Sequence, residues 1–217
     1  MKLYIADMRN ISLEQLKSMV SGKRLEKSLA FRFEMDQRRS LCAEALLNYA
    51  LSVNCPEIPR PVKLWEDEWH KPHLFLPEGM EGTEFNLSHS GNYAVCLLSG
   101  RPAGVDIEQK KEMPQYKMLA RRYFTEMEAG RIKDSECFLR YWTLKESYVK
   151  AIGKGLSFPL NEVEVHLKDK NAEFCGVQGS YTGRVYEEIQ GYVVSVCKGE
   201  EDVFPERLEK IILPVPI

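Results

Sequence analysis

The apolar residues of this chain change period several times, with no regular alternation of one strand and one helix. "KLYIAD" reads as a first strand. "LEQLKSMV" reads as a helix with Ser12 as its N-cap. In "DQRRSLCAEALLNYAL", Leu41, Ala45, Leu47 and Leu51 recur near helical spacing, with Asp36 at the start. "CPEIPRP" breaks helix with three prolines, and "KLWEDEWHKPHLFLPEG" reads as a short strand and turn region. "YAVCLL", the turn "SGRP" and "AGVDIE" predict a hairpin. Residues 116–132 return to helix, and "ECFLRYWTLKESYVKAIG" forms the next one. "VEVHL", "EFCGVQ", "GRVYEE" and "YVVSVC" read as closing strands. This order predicts an α+β fold. It divides near residue 102, into an N-terminal subdomain of residues 1–102 and a C-terminal subdomain of residues 103–217.

Composition narrows the function classes. The chain has 217 residues, 44% hydrophobic and 29% charged, which is ordinary for a soluble globular protein. Its net charge of −2 argues against non-specific nucleic-acid binding over the whole surface. "MKLYIADMRN" has no apolar run of the signal-peptide kind, and no stretch approaches the roughly 20 apolar residues needed to cross a bilayer. The six cysteines are scattered without a CxxC pair, so a thiolate zinc site is not expected and reduced thiols in the cytoplasm are.

Three segments carry chemistry. In the strand "GVDIE", Asp106 and Glu108 point to one face, about 6.6 Å apart along the strand, and Val105 and Ile107 to the other. An edge strand with a solvated polar face would look the same. In "YWTLKESYVKAIGKGL", Trp142, Glu146 and Lys150 share one helical face, a spacing that also suits surface ion pairs. Asp106, Glu108 and Glu146 together would form a hard oxygen site of the kind Mg²⁺ accepts alongside substrate phosphate. "NLSHSG" reads as a small polar turn able to offer hydroxyl, imidazole and backbone N–H groups to phosphate oxygens. It contains no GxSxG elbow, and "IGKGLS" lacks the full spacing of a nucleotide phosphate loop. Trp142 reads as core packing.

Taken together, "FNLSHS", "GVDIE" and "WTLKESYVK" resemble the motifs of the 4′-phosphopantetheinyl transferases of the larger, surfactin-synthetase-activating type. "EWHKPH" looks like that family's short GKP segment with His70 in place of glycine, and "RLEKSLAFRFEMDQRRSL" is similar to its basic N-terminal region. The resemblance runs to about Val196, and residues 200–217 carry no assignment. It implies a pseudo-twofold monomer of two similar α+β halves with coenzyme A bound between them. The implied reaction moves phosphopantetheine to a serine of an apo acyl or peptidyl carrier protein and releases 3′,5′-ADP. By the family's pattern, Mg²⁺ or Mn²⁺ sits on Asp106, Glu108 and Glu146, with Glu146 also a candidate base and Lys150 stabilising the leaving phosphate. Lys145 is expected at the pyrophosphate, and Arg24 and Lys27 at the 3′-phosphate. Arg39 and Ser40 are expected near the adenosine, and Lys71, Ser88 and His89 on phosphates. The segment carrying Lys110, Lys111, Lys117, Arg121 and Arg122 reads either as the carrier's docking surface or as a soluble helix. Another Mg²⁺-dependent phosphodiester enzyme, or an inactive carrier-binding module, remains an alternative reading of the same residues.

Overall fold

The computed structural model describes all residues except 81, 156, 157, 178, 200 and 214–217. Two sheets, one mixed and one antiparallel, each carry one long helix and share a core between them. In the first half, β1 (Lys2–Asp7) leads into α1 (Leu13–Ser18), α2 (Gly22–Leu29) and the 21-residue α3 (Glu34–Asn54). A small ribbon of β2 (Leu64–Glu66) and β3 (Pro72–Leu74) follows, then the hairpin of β4 (Glu84–Ser90) and β5 (Tyr93–Ser99). The second half repeats this connectivity. β6 (Ala103–Gln109) leads into α4 (Tyr116–Tyr123), α5 (Glu126–Arg131) and the 18-residue α6 (Ser135–Ile152). β7 (Glu164–Lys168), β8 (Asn171–Cys175), β9 (Tyr181–Tyr186) and β10 (Tyr192–Gly199) close it. The chain ends its described part with β11 (Glu209–Ile211).

Strand order shows the repeat. The first sheet runs β11-β1-β5-β4 and the second β6-β10-β9-β8-β7. In each, the opening strand pairs antiparallel with the last strand of a hairpin. The α+β reading is therefore observed, and the two halves are built alike.

Three local readings change. "YAVCLL" and "AGVDIE" are strands but not partners: β5 pairs with β1 and β4, whereas β6 pairs with β10. The "SGRP" turn is thus the passage from one sheet to the other. "NLSHS" is extended backbone in β4, and the turn begins at Gly91, whose φ is +55°. Residues 116–132 break into two helices because Thr125 caps α5 in a reciprocal capping box with Glu128. The unassigned tail supplies β11, which pairs parallel with β1. A boundary placed at residue 102 therefore leaves the last strand of the first sheet in the other half.

The apolar pattern divides into three clusters. Leu41, Leu46, Leu47 and Leu51 of α3 pack on one face of the first sheet. Phe138, Leu144, Tyr148 and Val149 of α6 pack on one face of the second. Leu3, Ile5, Val95 and Leu97 meet Val105, Ile107, Val194 and Val196 in a cluster that joins the two sheets. Val105 and Ile107 face this junction, so Gly104, Asp106 and Glu108 must face α6. A β-carbon on Gly104 would lie 2.0 Å from the Ser147 carbonyl oxygen and 2.6 Å from the Ala151 nitrogen. Thr143 and Ser195 add a 2.7 Å hydroxyl bond between α6 and β10. Cys42, Cys96 and Cys197 are buried in the packing, all six cysteines are free, and Cys175 is exposed. Among the described residues, no helix is long and apolar enough to cross a membrane.

Gly104→Ala tests this close approach. Overpacking typically costs about 1–3 kcal/mol, and here the colliding atoms are backbone. A loss at or above that range is expected, read as a lower urea midpoint. An unchanged midpoint would mean that α6 does not lie this close to β6.

Candidate active site

The close approach of α6 sets Glu146 and Lys150 over the carboxylates of β6. Lys150 Nζ donates to Asp106 Oδ1 at 2.7 Å and to the Val105 carbonyl at 3.1 Å. Ser88 Oγ donates to the same Asp106 oxygen at 2.8 Å. Asp106 is only 6% exposed, and its Oδ2 is buried with no hydrogen-bond partner. An orphaned carboxylate oxygen in such a place is costly unless something fills it. Beside it, Glu108 Oε2 accepts from Ser90 Oγ at 2.7 Å.

The three carboxylates oppose one another. Burial, then the neighbouring charge of Asp106, pushes the Glu146 carboxyl above its ordinary value, with Lys150 opposing and Glu108 adding to the rise. Burial also raises Glu108, where the Ser90 bond opposes the shift and Asp106 reinforces it. Among the described residues, no three acidic, histidine or cysteine side chains are gathered closely enough to hold a metal as they stand. Like charges repel, and Lys150 occupies Oδ1 of Asp106. The donor set itself is all hard oxygen, one atom of it unpartnered, which fits Mg²⁺ or Mn²⁺.

A cleft of about 270 Å³ lies beside this cluster, lined among others by Arg24, Lys27, Ser40, Ser88, His89 and Lys150. Six residues expected at a phosphorylated ligand thus meet in one place. Arg24 and Lys27 come from α2, and Ser40 from α3. Both cations have local acidic partners: Arg24 Nε lies 2.9 Å from the buried Glu44, and Lys27 Nζ 3.4 Å from Glu66. Ser40 Oγ accepts from Arg24 Nη1 at 3.3 Å. His89 is reached from the cleft yet crowded by protein. That desolvation, together with the charges of Lys150 and Arg39, holds its imidazole below the ordinary histidine range.

The remaining residues lie elsewhere. Arg39 Nε donates to the Gly91 carbonyl at 3.0 Å, and its Nη1 to Asp36 at 2.7 Å, so it braces the β4–β5 turn beside the cleft. The Lys71 side chain crosses to the C-terminal end of α6, where a β-carbon on Gly153 would lie 3.2 Å from its Cδ. His70 adopts φ +61°, which explains why a glycine suits that position. Lys110 is held by Glu136 at 2.6 Å and Glu187 at 2.9 Å, whereas Lys111, Lys117, Arg121 and Arg122 are exposed.

Lys145 is a correction. It is fully buried, with Nζ 2.8 Å from Glu128 Oε2, 2.8 Å from the Leu160 carbonyl, and bonded to the Val163 carbonyl. It also lies over the Phe124 ring. No pyrophosphate can reach it. Its helical neighbours Tyr141, Leu144 and Tyr148 are buried, and that face was legible as core. Trp142 is half-buried against the same cluster and stacks near Phe138, so its packing role holds. Its outer edge lines a second groove of about 440 Å³ with Glu146, Val149, Phe158 and Leu160, and Arg122 at the rim.

Sequence reasoning placed Asn86 and Ser90 in a polar turn without their bonds to β6, and it missed Glu44 and Glu128. Asn86 Oδ1 accepts from Val105 N at 3.0 Å, and Ser90 Oγ from Gln109 N at 3.1 Å. The alternation of polar Asn86, Ser88 and Ser90 with Leu87 and His89 was the available signal of a strand face for the first two.

The raised carboxyl of Glu146 has a consequence for stability. Its folded pKa lies above the unfolded value, so ionisation costs the folded state progressively as pH rises through the folded pKa. Without divalent cation, Glu146→Gln is expected to raise the urea midpoint at pH 7. The gain should fade below about pH 4.3, where the unfolded carboxyl is also protonated. A loss of stability at pH 7 would contradict the mutual repulsion described above.

Comparison with known proteins identifies the family. Residues 102–197 match the model of the 4′-phosphopantetheinyl transferase superfamily, and residues 9–101 match the model of the 4′-phosphopantetheinyl transferase N-terminal region. The chain is 30% identical to 4′-phosphopantetheinyl transferase ffp of Bacillus subtilis, over 97% of both chains. It is 28% identical to 4′-phosphopantetheinyl transferase Sfp of Bacillus subtilis (strain 168), over 91% of this chain and 90% of that one. Holo-[acyl-carrier-protein] synthase of Thermotoga maritima is a looser structural likeness, at TM-score 0.37 and 20% identity, covering 44% of this chain and 61% of that one. On the matched halves and the near full-length relatives, this chain belongs to the Sfp-type 4′-phosphopantetheinyl transferases and is a transferase of that kind.

Proposed function

We propose that this chain transfers the 4′-phosphopantetheine of coenzyme A to a serine hydroxyl of an apo acyl or peptidyl carrier protein, releasing 3′,5′-ADP in the cytoplasm. One observation carries the reading: a cleft lined by Arg24, Lys27 and His89 is also lined by Ser88 and Lys150, the two side chains that bond Asp106. Both lobes that line the cleft belong to one chain, which supports action as a monomer.

Asp106, Glu108 and Glu146 would hold Mg²⁺, or Mn²⁺ in its place. When bound, the cation supplies charge neutralisation for the pyrophosphate. The chain's own residues do the rest. Arg24 and Lys27, one helical turn apart, suit the dianionic 3′-phosphate. The cleft accessibility of Ser40 and His89 supports contacts to the nucleotide end. A neutral His89 can donate a hydrogen bond to a phosphate oxygen. Lys150 neutralises Asp106 in the free protein; turned into the cleft, it would stabilise charge growing on the leaving phosphate. Glu146, with its raised carboxyl, is suited to accept the serine proton directly or through water. The apolar groove beside Glu146 suits the uncharged pantetheine arm. The exposed face of α4 suits an acidic carrier, since it carries Lys117, Arg121 and Arg122 beside Met118, which is 64% exposed.

Two experiments test this. Incubation with coenzyme A, Mg²⁺ and a panel of apo-carriers should add one phosphopantetheine unit per carrier by intact mass, with 3′,5′-ADP in equal amount. A carrier with alanine for its serine should stop both products. Release of 3′,5′-ADP at the same rate without that serine would instead mark a coenzyme A hydrolase. Second, the double variant Arg24→Ala with Lys27→Ala should weaken binding of coenzyme A about tenfold or more, from loss of charge-assisted bonds. Binding of 3′-dephospho-coenzyme A should weaken much less. Equal weakening of the two ligands would move these cations away from the 3′-phosphate.

A further inference from the structure

The carboxylates proposed to hold the cation all lie in the second half, yet the hydroxyls that bond them lie in the first. β4 and β6 are edge strands of different sheets, and side chains bridge them. Asn86 accepts from Val105 N, Ser88 donates to Asp106, and Ser90 donates to Glu108. These three residues occupy alternate positions on β4 and so share one face of that strand.

Ser90 is fixed more tightly than its size suggests. Its Oγ accepts from Gln109 N at 3.1 Å and lies 2.7 Å from Glu108 Oε2. A serine hydroxyl has one proton, and its oxygen is already engaged by a backbone N–H. The proton is therefore free to point at the carboxylate. Ser90 thus grips both the Glu108 side chain and the main chain just beyond it. The other Glu108 oxygen is left for the site. Nothing in the motif resemblance assigns Ser90 a role.

We propose that Ser90 is a positioning residue for the divalent-cation site, holding Glu108 in ligating orientation from across the junction between the halves. This rests on the reading of Asp106, Glu108 and Glu146 as cation ligands. Hydrogen-bond partners of ligating carboxylates commonly contribute about 10–100-fold to metal affinity. The first half would then set the metal affinity of the second.

The test is Mn²⁺ binding to the full chain without coenzyme A, by titration calorimetry and by electron paramagnetic resonance of free Mn²⁺. Ser90→Ala should weaken binding about tenfold or more. Ser90→Thr keeps the hydroxyl and should recover most of the loss. Ser99→Ala removes a hydroxyl that donates to the Arg101 carbonyl, away from the site, and should bind as the unaltered protein does. At saturating Mn²⁺ the KM for coenzyme A should be unchanged in Ser90→Ala. Should that variant not fold, Ser90→Cys, close in size and a weak donor, takes its place and should also bind weakly. If the unaltered protein binds Mn²⁺ and Ser90→Ala binds it equally well, the positioning role is overturned and the cation site stands. Equal losses in the alanine and threonine variants overturn it as well. If the unaltered protein binds no Mn²⁺, the cation site fails, and the role of Ser90 fails with it.

Discussion

Helix α6 can lie against β6 only because residue 104 has no side chain. At 2.0 Å from a carbonyl oxygen and 2.6 Å from a backbone nitrogen, the site of a β-carbon is already taken. The geometry of the candidate site follows from that contact. Gly104, Asp106 and Glu108 share one strand face, so bringing α6 onto the glycine brings Lys150 to within 2.7 Å of Asp106. The opposite face of β6 is committed to the junction core through Val105 and Ile107. The strand is therefore held on both sides, which gives its carboxylates a rigid mounting.

The two cations of α6 show how one helix serves structure and chemistry at once. Lys145 is saturated by a carboxylate, two carbonyls and an aromatic ring, and is sealed from water. A buried pair of this kind is weak evidence for added stability, but removing either partner leaves a stranded charge. Lys150 is five residues on and on a different face. It shares a single carboxylate oxygen with Ser88 and keeps access to the cleft. Around it, Glu108 and Glu146 hold raised carboxyls against their own repulsion. Groups kept at a cost in the folded state are characteristic of sites arranged for a ligand.

Much of this was legible in the residues. Period changes marked the α+β class, and alternation placed Asp106 and Glu108 together. Helical spacing put Glu146 with Lys150. What was not legible depended on tertiary partners. "YAVCLL" and "AGVDIE" have every local sign of a hairpin, yet each finds its neighbours elsewhere in sequence, β5 with β1 and β6 with β10. The tail strand β11 is three residues long and pairs with the other end of the chain, so no local pattern announces it. The charge of Lys145 suggests a ligand contact, yet it shares a face with Tyr141 and Tyr148, and burial follows the face.

The division of labour between the halves solves an electrostatic problem. Carboxylates for a cation and cations for a phosphate would neutralise one another if they stood on one element. Here the carboxylates stand on β6 and α6, and the phosphate-binding candidates on α2, α3 and β4. Arg24 and Lys27 are steadied by Glu44 and Glu66 in their own half, rather than by the acidic cluster opposite. The seam between the halves is bridged by neutral hydroxyl and amide side chains, whose bonds orient charges without cancelling them. Lys150 is the cation that bonds the acidic cluster, through Asp106, and it rises from the helix of the same half. Among the described residues, the cations of α2 thus pair within their own half and leave Glu108 and Glu146 unpaired by them, an arrangement suited to a ligand that carries both phosphate and a metal ion.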